Sequence, residues 1–156
     1  MSSWWRRVPK SSRDKMMGKK VLFLCTGNSC RSQMAEAIIN SRLGEEFEAF
    51  SAGTKPAGYV HPKVIQVLSE IGIRHQGRSK SADEFKDLPL DLVVTVCDSA
   101  AEECPLWLGQ GKRLHHSFPD PVKVIGSEQE MLVAFREVRD AILGEIPPLL
   151  GESIKS

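Results

Sequence analysis

The sequence predicts a small α/β domain built on a mostly parallel sheet. Two observations carry that reading. Short, wholly apolar runs of strand length alternate with longer stretches whose apolar residues recur at helical spacing. The 156 residues suffice for one domain and are too few for two ordinary ones. A third observation fits them: a polar, glycine-containing loop joins the first strand to the first helix, where parallel sheets gather ligands.

The elements follow in order. Val21–Leu24 is a continuous apolar run, as expected of a strand covered on both faces. Arg31–Leu43 sets Met34, Ala35, Ile38 and Leu43 at helical spacing, and Gly44 follows as a stop. Phe47–Ala52 reads as a second strand. Pro62–Ile71 carries Val64, Ile65, Val67, Leu68 and Ile71 on one stripe, with Gly72 behind it. Leu92–Cys97 is another buried strand, and Arg113–Phe118 a weaker one. Ser127–Ile142 places Met131, Leu132, Phe135, Val138 and Ile142 along a long amphipathic helix. No internal repeat or low-complexity tract interrupts this body.

Residues 1–18 stand apart as a basic leader, expected to be disordered, with two tryptophans, a proline and a possible second start at Met16 and Met17. Residues 19–150 read as a single catalytic domain and 151–156 as a C-terminal tail. The first twenty residues carry a net charge of +6 and the remainder −5. A mildly acidic body does not fit a nucleic-acid binder. No run approaches the roughly 18 apolar residues of a membrane span, and nothing upstream resembles a secretory signal. The expected compartment is therefore the cytoplasm, where cysteines are more often buried or catalytic than in structural disulfides. Cys25, Cys30, Cys97 and Cys104 are spaced C-x4-C and C-x6-C. With His61, His75, His115 and His116 scattered, these spacings match no zinc ribbon or finger. Neither metal nor cofactor is expected.

The most informative stretch is the loop Cys25-Thr26-Gly27-Asn28-Ser29-Cys30-Arg31-Ser32. Gly27 lets the chain curl so that backbone N–H groups of Thr26, Gly27, Asn28, Ser29, Cys30, Arg31 and Ser32 surround one tetrahedral oxyanion. Arg31 adds a planar fork of donors matched to two oxyanion oxygens. The same amides, the helix terminus and Arg31 favour the thiolate form of Cys25, the form that acts as nucleophile. Anion cradle and nucleophile thus come from one loop. The loop is neither a nucleotide-binding G-x4-G-K-[ST] sequence nor a C-x-x-C redox motif. Cys30 reads first as a small packing residue and second as a backup or protective thiol. Asp120, followed by Pro121, is an ordinary turn unless the anion site lies beside it. A carboxylic acid there can protonate an oxygen that leaves in a nucleophilic displacement at the bound oxyanion. His115 and His116 read as strand or loop residues.

VLFLCTGNSCRSQMAEA resembles the low-molecular-weight phosphotyrosine phosphatase superfamily, and within it the thioredoxin-coupled arsenate reductases. The resemblance runs from about Val21 to Leu143 through the loop, Ser51–Thr54 (SAGT), VVTVC-x6-C and HHSFPDP. It implies a three-layer α/β/α fold on a four-stranded parallel sheet, with arsenate as substrate and thioredoxin as reductant. It further implies Cys25 as nucleophile, Arg31 as oxyanion clamp and Asp120 as general acid. Ser32 matches the hydroxyl that supports the thiolate, and Asn28 the residue that props the loop. In the scheme implied for this family, Cys25 attacks arsenate, Cys97 attacks Cys25 as arsenite leaves, and Cys104 then takes the disulfide to Cys97–Cys104. Potassium-stimulated members use the residues matching Asn28 and Glu36. Here Arg78 and Lys80 fall among the remaining ligands, and two extra positive charges would repel a cation.

Spacing adds a physical argument. If residues 98–103 were helical, Cys97 and Cys104 would lie roughly 10 Å apart, whereas a disulfide needs about 4.4–6.8 Å. Oxidation of that pair is expected to unwind the segment, and residues 98–109, with three acids, Pro105 and Gly109, look loosely enough held. Two other readings compete. A phosphotyrosine phosphatase would use Cys25, Arg31 and Asp120 and have no need of Cys97 and Cys104. An arsenite or redox sensor would use the thiols and have no need of Asp120.

Overall fold

In the computed structural model, which describes residues 18–98 and 107–155, four strands form one wholly parallel sheet. They are β1 (Lys19–Cys25), β2 (Phe47–Gly53), β3 (Leu92–Thr95) and β4 (Lys112–His115), ordered β2-β1-β3-β4. In the register, β1 pairs Val21 with Ala49 on one side and with Leu92 on the other. Among the described residues three α-helices join them: α1 (Arg31–Arg42), α2 (Pro62–Ser69) and α3 (Glu128–Lys155).

Side chains alternate across a strand, and β1 divides its apolar run accordingly. Val21, Phe23 and Cys25 enter a cluster with Met34 and Ile38 of α1, Val64 and Val67 of α2, and Phe135 and Ile142 of α3. All three α-helices therefore cover one face. Leu22 and Leu24 turn the other way, against Phe85, Leu90, Val93 and Trp107. There the cover among the described residues is a 3₁₀ turn, Ala82–Phe85, with the segment behind it. This double burial is why β1 needs no polar residue between Val21 and Leu24.

The elements expected from the sequence are present with shifted ends. The third and fourth strands end before the expected Cys97 and Phe118, stopping at Thr95 and His115. The last helix is much longer, running from Glu128 to Lys155 through Pro147 and Pro148, so residues 151–155, expected as a tail, continue it. Two prolines remove two helical hydrogen bonds. Ile146 and Leu150 are fully buried on either side of them, and that burial holds the segment on the core. Farther up the helix, Arg136 and Arg139 both grip Glu70 just beyond α2, at 2.7 and 2.8 Å. The leader (1–17) and residues 99–106, including most of the segment expected to unwind, lie outside the described residues.

Candidate active site

The loop between β1 and α1 stands at the carboxyl end of the sheet, where parallel strands leave a crevice. Its carbonyls are engaged from outside. Thr26 O accepts from Lys55 N at 3.0 Å, Gly27 O from Ala57 N at 2.9 Å, and Ser29 O from His61 N at 3.0 Å. Gln33 Nε2 donates to Asn28 O at 3.1 Å, and Ser79 Oγ to Gly27 O at 3.1 Å. Among the described residues no peptide bond is cis, and across a trans peptide the next N–H points opposite to its carbonyl. Four outward carbonyls therefore turn the amides of Gly27, Asn28, Ser29 and Cys30 inward. Inward amides of this kind can hydrogen-bond an oxyanion.

Asn28 holds the bend. It is fully buried and has φ +49°, a left-handed conformation uncommon outside glycine. Its own amide donates to Cys25 Sγ at 3.3 Å. Its side-chain Nδ2 donates to Ser32 Oγ at 2.8 Å, and Ser32 Oγ lies 2.9 Å from Cys25 Sγ. Cys25 is thus met by two hydrogen-bonding groups from the loop that it begins. β2 also presses on the loop. A methyl built on Gly53 would overlap Thr26 O and crowd Asn28 N, so the close approach requires glycine there.

Arg31, at the start of α1, is buried, and its Nη1 donates to Phe118 O at 3.2 Å. Nη2 stands 3.7 Å from Asp120 Oδ2. Asp120 caps the 3₁₀ turn Pro121–Lys123 by accepting from Val122 N at 3.1 Å. The Arg31 guanidinium, which can grip two oxygens of an anion, and a carboxyl group able to carry a proton therefore face one another beside the loop. His116 ties this acid-bearing segment to α3 through Glu145, at 2.7 Å. His115 bridges Thr95 and Ser117, at 2.6 and 2.8 Å. Both histidines hold structure at these contacts.

The cysteines differ sharply in setting. Burial pushes the Cys30 thiol up to about 12, against a lowering contact from Ser29, so at neutral pH it stays protonated. Cys97 is fully buried in the same apolar cluster as Cys25 and Cys30. Val96 N donates to Leu24 O at 2.9 Å, which brings Cys97 to the same end of the sheet as Cys25. Cys97 is disulfide-bonded, whereas Cys25 and Cys30 are free. Cys104 lies outside the described residues.

Glu36, Ser51 and Lys80 meet behind the loop. Lys80 Nζ lies 3.4 Å from Glu36 Oε1, 3.4 Å from Ser51 Oγ and 3.0 Å from the Arg78 carbonyl. Arg78 instead directs its guanidinium to Glu84 at the surface. The residues present do not fit a potassium ion, because the lysine ammonium already stands against the carboxylate, hydroxyl and carbonyl oxygens. Among the described residues, no group of three or more His, Cys, Asp or Glu side chains is arranged to hold a metal ion. No helix among them is long and apolar enough to cross a membrane.

Sequence reading did not reach Gln33, His75 or Gly53, which act on the loop from other elements.

Residues 20–156 match the low molecular weight phosphotyrosine protein phosphatase family. An arsenate reductase of Halalkalibacterium halodurans is 44% identical over 128 residues, covering 81% of this chain and 91% of that protein. A solved arsenate reductase in the phosphate binding state superposes with a TM-score of 0.68 at 27% identity, covering 86% of this chain and 98% of the other. A thioredoxin-dependent arsenate reductase of Corynebacterium glutamicum gives 0.61 at 27% identity, with 89% and 63% covered. With its loop, its sheet order and its sequence in agreement, the chain belongs to the low molecular weight phosphotyrosine protein phosphatase family.

Proposed function

We propose that this protein reduces arsenate to arsenite by a relay of three thiols, and that thioredoxin restores it. The observation that carries the reading is the buried Cys97, at the same sheet end and in the same core cluster as Cys25. Ester hydrolysis needs one thiol. Reduction of As(V) to As(III) takes two electrons, and two thiols becoming a disulfide supply two.

The cradle amides and Arg31 bind arsenate with Cys25 Sγ below the arsenic. The Cys25 thiolate attacks arsenic, and an oxygen leaves as water with a proton from Asp120, giving a thiol–arsenate adduct. The Cys97 thiolate then attacks Cys25 Sγ. The S–As bond breaks, its electron pair stays on arsenic, and arsenite leaves with a Cys25–Cys97 disulfide behind. Cys104 attacks Cys97, frees Cys25 and moves the disulfide to Cys97–Cys104, where an external dithiol such as thioredoxin exchanges with it. Cys30, protonated at neutral pH, does not compete as a nucleophile. The 41–44% identity of curated arsenate reductases over most of this chain supports the substrate.

The test is NADPH consumption with thioredoxin and thioredoxin reductase, run with arsenate and beside hydrolysis of an aryl phosphate. Arsenate-dependent consumption is expected. Aryl phosphate turnover with no such consumption would make the protein a phosphatase.

Asp120 also has an expected signature. Asp120→Asn keeps the shape and the cap on Val122 N, but supplies no proton. Arsenate affinity should hold while adduct formation slows roughly a hundredfold or more, the usual size of general acid catalysis. An unchanged single-turnover rate at neutral pH would reduce Asp120 to a turn residue.

A further inference from the structure

Behind the loop runs a chain of hydrogen bonds whose direction is fixed from His75 to Ser32. It starts at His75, passes through Gln33, Asn28 and Ser32, and ends on Cys25. Lys80 N, a donor only, lies 2.7 Å from Asn28 Oδ1. This sets the Asn28 amide, so its Nδ2 faces Ser32 Oγ at 2.8 Å. Ser32 Oγ, which accepts that bond, lies 2.9 Å from Cys25 Sγ, and a Cys25 thiolate, having no proton of its own, can only accept the Ser32 proton.

Gln33 is oriented just as firmly. Around its Nε2 stand three acceptors: Asn28 O at 3.1 Å, Asn28 Oδ1 at 3.0 Å and Arg78 O at 2.8 Å. A flipped amide would set oxygen against three oxygens. Its Oε1 therefore faces His75 Nε2, at 2.7 Å, and His75 must carry its proton there. Burial lowers the proton affinity of His75, which favours the neutral ring with a single N–H. Gly77 makes room for this link. A methyl built there would overlap both Gln33 Oε1 and His75 Nε2.

We propose that Gln33, seated by His75, is a positioning residue that clamps Asn28 in its left-handed conformation and so directs the Ser32 proton at Cys25. Gln33 bonds both oxygens of Asn28 and ties them to the Arg78 carbonyl. It thereby supports a left-handed backbone geometry that is unfavourable for a residue other than glycine when left to itself. A proton aimed at sulfur stabilises the thiolate over the thiol. The inference rests on Cys25 as the reactive thiol, and not on arsenate or thioredoxin.

The test is iodoacetamide alkylation of fully reduced protein, read on the Cys25 peptide by mass spectrometry at pH 7 and at alkaline pH. Arg31, Asp120 and Cys30 face the same loop and stay unchanged in every variant. Gln33→Leu should alkylate roughly tenfold more slowly at pH 7, the scale of one weakened hydrogen bond to a charged acceptor. It should match wild type at alkaline pH, where the thiolate forms regardless. His75→Leu should shift in the same direction by less, and His75→Gln, which keeps a donor in reach of Oε1, should return toward wild type. A wild-type rate at pH 7 in folded Gln33→Leu, or equal slowing at both pH values, would overturn the proposal. If Gln33→Leu fails to fold, the two His75 variants decide, and equal rates in both overturn it. Failure of arsenate reduction with this pattern intact would count against the proposed function alone.

Discussion

Cys25→Ser is expected to bring arsenate reduction and any aryl phosphate hydrolysis to background together. The reason is local. The Asn28 amide donates to Sγ at 3.3 Å, and the Ser32 hydroxyl stands 2.9 Å from it. Those donors stabilise a thiolate, but they cannot ionise an alcohol whose proton is held far more tightly. Oxyanion binding should survive, because Arg31 and the amides of the loop are untouched. Phosphate or arsenate titration would check that half, and steady-state assays the other. Retention of either activity at about a tenth of wild type would contradict the assignment of the nucleophile, since loss of a nucleophile ordinarily costs several orders of magnitude.

The second large effect separates the two remaining thiols of the proposed relay. Cys97→Ser should stall at the adduct, because no thiol remains to attack Cys25, and arsenite should stay unreleased. Cys104→Ser should release arsenite once and then stop as a Cys25–Cys97 disulfide. Aryl phosphate hydrolysis, which uses only Cys25, Arg31 and Asp120, should change little in either variant. Arsenite release in the first turnover, with peptide mapping of disulfides, distinguishes these outcomes. Repeated turnover of Cys104→Ser with thioredoxin would remove Cys104 from the relay and point to reduction by an external thiol.

Much of this was legible in the sequence because it is local. An apolar run covered on both faces announces β1, and the loop that follows it carries Cys25, Gly27, Asn28, Arg31 and Ser32 within eight positions. What one element does within itself can be read from its own residues. The contacts that finish the site are of another kind. Gln33 reaches Arg78 across 45 positions, and Lys80 N caps Asn28 across 52. Gly53 matters only because β2 ends against Thr26 O. No spacing rule reports such partners before the chain is folded. The last helix misled for a different reason. Pro147 and Pro148 argue locally for a stop, and the burial of Ile146 and Leu150 outweighs them. The cation expectation depended on side-chain direction as well. Arg78 and Lys80 both looked able to crowd Glu36, and only Lys80 turns inward to it.

The most direct measurement of the relay uses fully reduced wild-type protein, one equivalent of arsenate and no thioredoxin. Arsenite is quantified, and the disulfides are mapped after acid quenching. The account predicts about one arsenite per chain, since each disulfide supplies two electrons. It also predicts a Cys97–Cys104 disulfide, with Cys25 recovered as a thiol. Arsenite release with Cys97 and Cys104 both still reduced would contradict it.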